Sequence, residues 1–88
     1  AEIERVRALA PTVPLLIPGV GAQGGDAVAT VKAGWRGTAQ ATSGPVVVNS
    51  SRAILYASAG VDFAAAARAE AMRTREVLRA AQQQSLLN

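Results

Sequence analysis

Two short apolar runs, Pro14-Leu15-Leu16-Ile17 and Val46-Val47-Val48, constrain what this chain can fold into more than any other feature. Each run is continuous rather than alternating, the pattern of a strand buried on both faces. Each leads into a loop of small or polar residues and then into helical sequence. Strands that alternate with helices pair in parallel and form an α/β sheet with helices on both sides. Two strands cannot make that sheet. The expectation is that residues outside these 88 supply the rest.

Composition points the same way. Half of the residues are apolar, but most are Ala and Val, with one Phe, one Trp, one Tyr and one Met as large anchors. A chain of this length folding alone buries only about 60–65% of its unfolded surface and needs a clean core pattern. The pattern here suits packing against other parts of a larger protein. Residues 1–88 are therefore expected to be part of one domain, not an independent one.

Around the two strands the order reads helix, strand, helix, strand, short helix, long helix. Ile3, Val6, Leu9 and Ala10 recur at helical spacing until Pro11 stops them. Asp26 is placed to cap a helix carrying Ala27, Val28, Val31 and Lys32. From Gly34 to Pro45 periodicity lapses, which predicts a surface connection. Ala53 to Ser58 reads as a short helix ended by Gly60 and entered through the hydroxyls of Ser50 and Ser51. Asp62 would cap the last helix, whose stripe is Phe63, Ala67, Ala71, Thr74, Leu78 and Ala81.

Without Cys or His, the chain has no disulfide, thiolate or imidazole chemistry and lacks the usual soft metal ligands. No apolar run approaches the roughly 20 residues that span a bilayer, and the first residues do not read as a signal peptide. A cytoplasmic protein with no membrane partner is expected. The net charge of +3 raises the question of nucleic acid. However, Arg68, Arg73, Arg75 and Arg79 alternate with Glu70 and Glu76 on one helix, and no aromatic residue is interleaved for stacking. A solvated helix face is the reading, with no nucleic-acid partner.

Chemistry concentrates in the two loops that follow the strands, the position where α/β proteins bind ligands. Gly19 to Gly25 holds four glycines, whose amides can converge on an anion, and Gln23 as its one long side chain. A tight strand-to-helix turn would need the same glycines. Asn49-Ser50-Ser51-Arg52 offers free helix N–H groups and a guanidinium, although a surface Arg would look alike. Together the two loops match the phosphate grip of many barrel enzymes, built after the last two strands and at a short extra helix. Gly19-x-Gly21-x-x-Gly24 also spells a dinucleotide fingerprint. That reading lacks its acidic partner about 20 residues on, because no carboxylate lies between Asp26 and Asp62. Arg52 keeps an NADP-type binding module open as an alternative.

Leu16-Ile17-Pro18-Gly19-Val20-Gly21-Ala22-Gln23-Gly24-Gly25-Asp26 resembles the seventh strand and loop of orotidine 5′-phosphate decarboxylases. Val48-Asn49-Ser50-Ser51-Arg52-Ala53-Ile54-Leu55-Tyr56 resembles their eighth. The spacing and the final helix agree, so the likeness covers nearly the whole chain, and it is strongest to the bacterial branch with longer chains. The resemblance implies the last two strand-helix units of a (β/α)8 TIM barrel. It further implies cofactor-free decarboxylation of orotidine 5′-phosphate to uridine 5′-phosphate in pyrimidine synthesis, by a homodimer. Residue by residue, it gives Gln23 and Arg52 the substrate phosphate, with Gln23 also reaching the pyrimidine side. Backbone amides near Gly24, Ser51 and Arg52 assist, and Pro18 lines the apolar part of the pocket near the departing carboxylate. Ser51 stands where the family often has Gly.

The family's alternating Lys and Asp array has no counterpart here, since Lys32 is the one Lys and falls on a helix. This segment is thus expected to carry no catalytic residue and to be inactive alone. Another phosphate-binding barrel lyase or synthase would share the grip and differ upstream.

Overall fold

The computed structural model describes residues 2–18 and 24–86. Among the described residues the order is α1 (Glu2–Leu9), β1 (Leu15–Ile17), α2 (Gly24–Gly34), β2 (Arg36–Gly37), β3 (Thr42–Gly44), β4 (Val46–Val48), α3 (Arg52–Leu55) and α4 (Phe63–Leu86). β1 and β4 pair in parallel, with Leu15 opposite Val46, Leu16 opposite Val47 and Ile17 opposite Val48. The expected α/β class with parallel strands is thus observed.

Helix α2 buries Ala27, Thr30 and Val31, one face at helical spacing. It ends at Gly34, where a Cβ would stand 3.0 Å from Ile3 Cγ2 and 3.2 Å from Val46 Cγ2. Only a glycine lets α1 and β4 approach the helix end this closely. Val31 and Trp35 then pack on Ala81 of α4, with Val46 and Leu78 at the edge of the cluster.

Arg7 is the deeply buried side chain of α1, at 2% exposure, whereas Val6 and Leu9 of the expected apolar stripe are exposed. Its Nε donates to Gly34 O at 2.6 Å, Nη1 to Ala10 O at 2.8 Å and Val13 O at 2.7 Å, and Nη2 to Pro45 O at 3.0 Å. Helix C-termini leave carbonyls without intrahelical partners, and one guanidinium satisfies those of two helices here. Pro45 O also accepts from Leu15 N–H at 3.0 Å, so Arg7 ties the helix ends to the entry ends of both parallel strands.

One expectation is refined and three are corrected. The stretch from Gly34 to Pro45, expected only as a surface connection, is ordered as an antiparallel hairpin, β2 with β3. Its turn is closed by Thr38, whose N–H donates to Ala41 O at 2.8 Å and whose Oγ1 accepts from the N–H groups of Gln40 and Ala41. Such local bonds organise a turn without apolar periodicity. Asp26 lies inside the first turn of α2 rather than at its cap, where its charge still complements the helix dipole. The short helix spans Arg52–Leu55 and is closed at Tyr56, not at Gly60. Asp62 precedes α4 and its carbonyl accepts the Ala66 N–H, but its Oδ1 is taken by Ser58 Oγ at 2.6 Å.

On α4, Ala81 is buried and Thr74 and Leu78 half-buried, while Phe63 and Ala71 of the expected stripe are exposed. The helix therefore packs mainly through its C-terminal half. The parallel pair is covered on one face only, leaving Leu16 at 67% and Val47 at 57% exposure.

Candidate functional site

Parallel pairing decides where the two loops begin. Both follow their strands from the same end, and the ladder runs one step beyond β4, with Asn49 N–H donating to Ile17 O at 3.1 Å. An antiparallel pair would have sent the loops to opposite ends.

The pleat then sorts the side chains. Exposure alternates along both strands and past their ends: Leu15 and Ile17 are half-buried while Leu16 and Pro18 are exposed. In the second strand Val46, Val48 and Ser50 are half-buried, and Val47, Asn49 and Ser51 are exposed. The half-buried set faces the helices, since Val46, Val48 and Ser50 line a groove of about 580 Å³ with Ala71 and Leu78 of α4. Ser50 Oγ is buried there without a hydrogen-bond partner. The opposite, uncovered face carries Pro18, Asn49 and Ser51 at the loop end.

Of the residues expected at the site, Pro18 and Ser51 are thus brought to one face. Arg52 is the first residue of α3, exposed, and its side chain makes no hydrogen bond or ion pair among the described residues. Ser51 occupies the N-cap position but its hydroxyl makes no capping bond. It donates instead to Asn49 Oδ1 at 3.0 Å, so the expected side-chain cap is replaced by a contact within the loop. Gly24 is the first residue of α2. Gln23 lies outside the described residues.

Asn49 was read from the sequence only as part of a polar loop. The alternation begun at Val47 was the signal that places it on the uncovered face. Lys32 sits exposed in the last turn of α2, consistent with its expected helical position.

On α4 the basic residues Arg68, Arg73, Arg75 and Arg79 are exposed, as a solvated face requires. Arg73 forks onto Glu70, with Nε 3.0 Å from Oε2, and Arg75 lies 3.3 Å from Glu76. The hydrogen bond from Arg73, aided by its charge and opposed by desolvation, holds the Glu70 carboxyl below its ordinary value. No group of three or more metal-ligating side chains occurs among the described residues, and no described helix is long and apolar enough to cross a membrane.

The chain is 72% identical over 86 residues to orotidine 5′-phosphate decarboxylase of Polaromonas naphthalenivorans, covering 98% of this chain and 29% of that protein. The enzyme of Variovorax paradoxus is 72% identical over 92% of this chain and 28% of its own length. That of Paracidovorax citrulli is 74% identical, with 92% of this chain and 28% of its own covered. The chain belongs to the orotidine 5′-phosphate decarboxylase family.

It spans under a third of the length of these decarboxylases. No family model matches it, and no solved structure matches it significantly. Both of its loop motifs fall within the stretch shared with the decarboxylase of Polaromonas naphthalenivorans.

Proposed function

We propose that residues 1–88 are the C-terminal part of a (β/α)8 barrel, its last two strand-helix units, and not an independent domain. The exposed surface supports this. At 9.0 kDa a self-contained folded protein exposes about 4,900 Å², whereas this chain exposes 6140 Å². Leu16 and Val47 form the apolar inner face that the remaining strands would cover.

The intact protein then decarboxylates orotidine 5′-phosphate to uridine 5′-phosphate in pyrimidine biosynthesis, as a cytoplasmic homodimer. The observation that carries this is the parallel register of β1 and β4, which makes both strands end at the same edge of the sheet, where each family loop begins. There the Arg52 guanidinium and Gln23 grip the substrate phosphate, assisted by amides near Gly24, Ser51 and Arg52. Pro18 lines the apolar part of the pocket. Among the described residues the Arg52 side chain makes no hydrogen bond or ion pair, so its donor fork is available for an anion.

Proton transfer and carboxylate destabilisation belong to Lys and Asp residues on other strands. This segment contributes binding energy remote from the reacting carbon, which an enzyme can use to hold that centre in a desolvated or distorted state. The test is a decarboxylation assay on the intact protein with orotidine 5′-phosphate. Turnover without added cofactor is expected. Tight binding of uridine 5′-phosphate with no turnover would instead support a noncatalytic nucleotide-binding module.

A further inference from the structure

We propose that Asn49 is a further substrate-binding residue of this site, donating its side-chain amide to an uncharged oxygen of the nucleotide. This rests on the functional reading above and extends it to a residue that neither loop motif singled out. Three features of its surroundings carry the assignment.

The first is position. Asn49 continues the alternation of β4, exposed between half-buried Val48 and Ser50, and so shares the uncovered face with Pro18 and Ser51. It precedes Ser51 by two residues and is still bonded to β1 through its N–H, whereas Ser51 already has helical backbone angles at the N-cap of α3. It therefore stands deeper on the sheet than the phosphate grip at Ser51 and Arg52, level with the part of the ligand between phosphate and reacting carbon.

The second is anchoring. The Asn49 N–H donates to Ile17 O at 3.1 Å, tying its backbone to the neighbouring strand just before Pro18. A residue held in a parallel ladder keeps its Cβ direction, unlike one free in a loop.

The third is polarity. Ser51 Oγ donates to Asn49 Oδ1 at 3.0 Å, which occupies the acceptor end of the amide and fixes which way the group is turned. The NH2 end has no partner among the described residues. What the arrangement presents is a neutral, oriented double donor beside the apolar Pro18. Its complement is a sugar hydroxyl or a ring carbonyl; the charged phosphate is already served by a guanidinium.

The test uses the intact protein with Asn49→Asp, which keeps the size of the side chain and can still accept from Ser51 but replaces the donating NH2 by an acceptor. The expected result is a loss in kcat/KM of about tenfold to a hundredfold, with an unchanged melting temperature. It should be similar for orotidine 5′-phosphate and for the nucleoside without phosphate, because the contact does not involve the phosphate. Ser51→Ala, which leaves Asn49 in place but frees its amide to turn, should cost about threefold on both substrates and serves as the measurement if Asn49→Asp folds poorly. Comparing uridine 5′-phosphate with its 2′-deoxy form locates the acceptor. If the variant no longer discriminates them, it is that hydroxyl; if discrimination survives, it is another sugar hydroxyl or a ring carbonyl. Wild-type-like activity of Asn49→Asp, or a loss confined to the phosphorylated substrate, overturns the role of Asn49 alone. An intact wild-type protein that does not decarboxylate orotidine 5′-phosphate overturns the functional reading and this proposal with it.

Discussion

Arg7 Nε donates to the carbonyl of Gly34 at 2.6 Å, joining a residue of α1 to the last residue of α2 through a side chain at 2% exposure. The remaining donors of the same guanidinium reach Ala10, Val13 and Pro45. A buried cation ordinarily needs a carboxylate. Here carbonyl dipoles from two helix ends and two strand entries take that part. The consequence is that the entry ends of β1 and β4 are held together opposite the end where the two loops begin.

Arg7→Met in the intact protein takes the guanidinium donors from the carbonyls of Gly34, Ala10 and Val13, while Pro45 O keeps the Leu15 N–H. Each unsatisfied buried group costs about 1–3 kcal/mol, so a total loss of roughly 3 kcal/mol or more is expected from denaturant unfolding. Arg7→Lys keeps the charge but has fewer donors and no fork, and should lose less. Gly44→Ala should weaken the same junction by about 1–3 kcal/mol, because its Cβ would stand 2.8 Å from Pro11 O and 3.1 Å from Arg7 Cζ. Wild-type stability of both Arg7 variants would mean that the network contributes nothing.

Trp35 joins α2, the hairpin and α4 in one small cluster. Trp35→Ala should destabilise by about 3–5 kcal/mol, read as a shift in denaturation midpoint. A loss under 1 kcal/mol would show that the cluster is not a core of the intact protein.

Arg52→Ala should lower kcat/KM for orotidine 5′-phosphate by roughly 30-fold to several thousand-fold, the range for truncating a desolvated Arg–phosphate pair. Gln23→Ala should cost less, since a neutral hydrogen bond is about half as strong as a charge-assisted one. With the nucleoside substrate the Arg52 variant should match wild type, and added phosphite or guanidinium should restore part of the lost rate in the appropriate assay. Equal losses on both substrates would remove Arg52 from the phosphate grip.

Glu70 is held below its ordinary value by the hydrogen bond from Arg73. The unfolded chain therefore binds more protons in that range, and the stability from the pair is present above the unfolded value and lost as pH falls through the lowered folded one. The melting curves of wild type and Glu70→Gln should differ slightly at neutral pH and converge in acid. Arg73 is exposed and Glu70 half-buried at the surface, where solvent screens the pair, so the difference is expected to be small. A gap that stays constant into acid would refute the linkage.

The isolated segment should melt without a sharp transition and show no decarboxylation. Its buried apolar cluster amounts to Val31, Trp35 and Ala81, and Leu16, Val47 and Phe63 stand exposed. Circular dichroism on the 88-residue peptide decides this, and a cooperative melt together with turnover would reject the fragment reading.

Much of the local structure was legible in the residues themselves. Proline and glycine punctuation, the two apolar runs and the Ala-rich final helix placed α1, β1, α2, β4 and α4 near their observed bounds. These features depend on backbone preference and short-range pattern. The loop motifs were equally legible, because a glycine-rich turn and a strand-end Arg are written in consecutive residues.

The hairpin was not, since its strands are two and three residues long and rest on Thr38 bonds and on Trp35 at its base. Nor was the burial of Arg7, whose partners lie as far as 38 residues away. The sequence by itself determined α1, β1, α2, β4 and α4, and that a glycine-rich loop and a hydroxyl-bearing loop follow the two parallel strands. Only the tertiary structure decided that those strands are neighbours in parallel register, and that Asn49 faces the open side while Ser50 turns to the helices. Register and facing are set by hydrogen bonds and burial between residues about 30 positions apart, and no local preference encodes them.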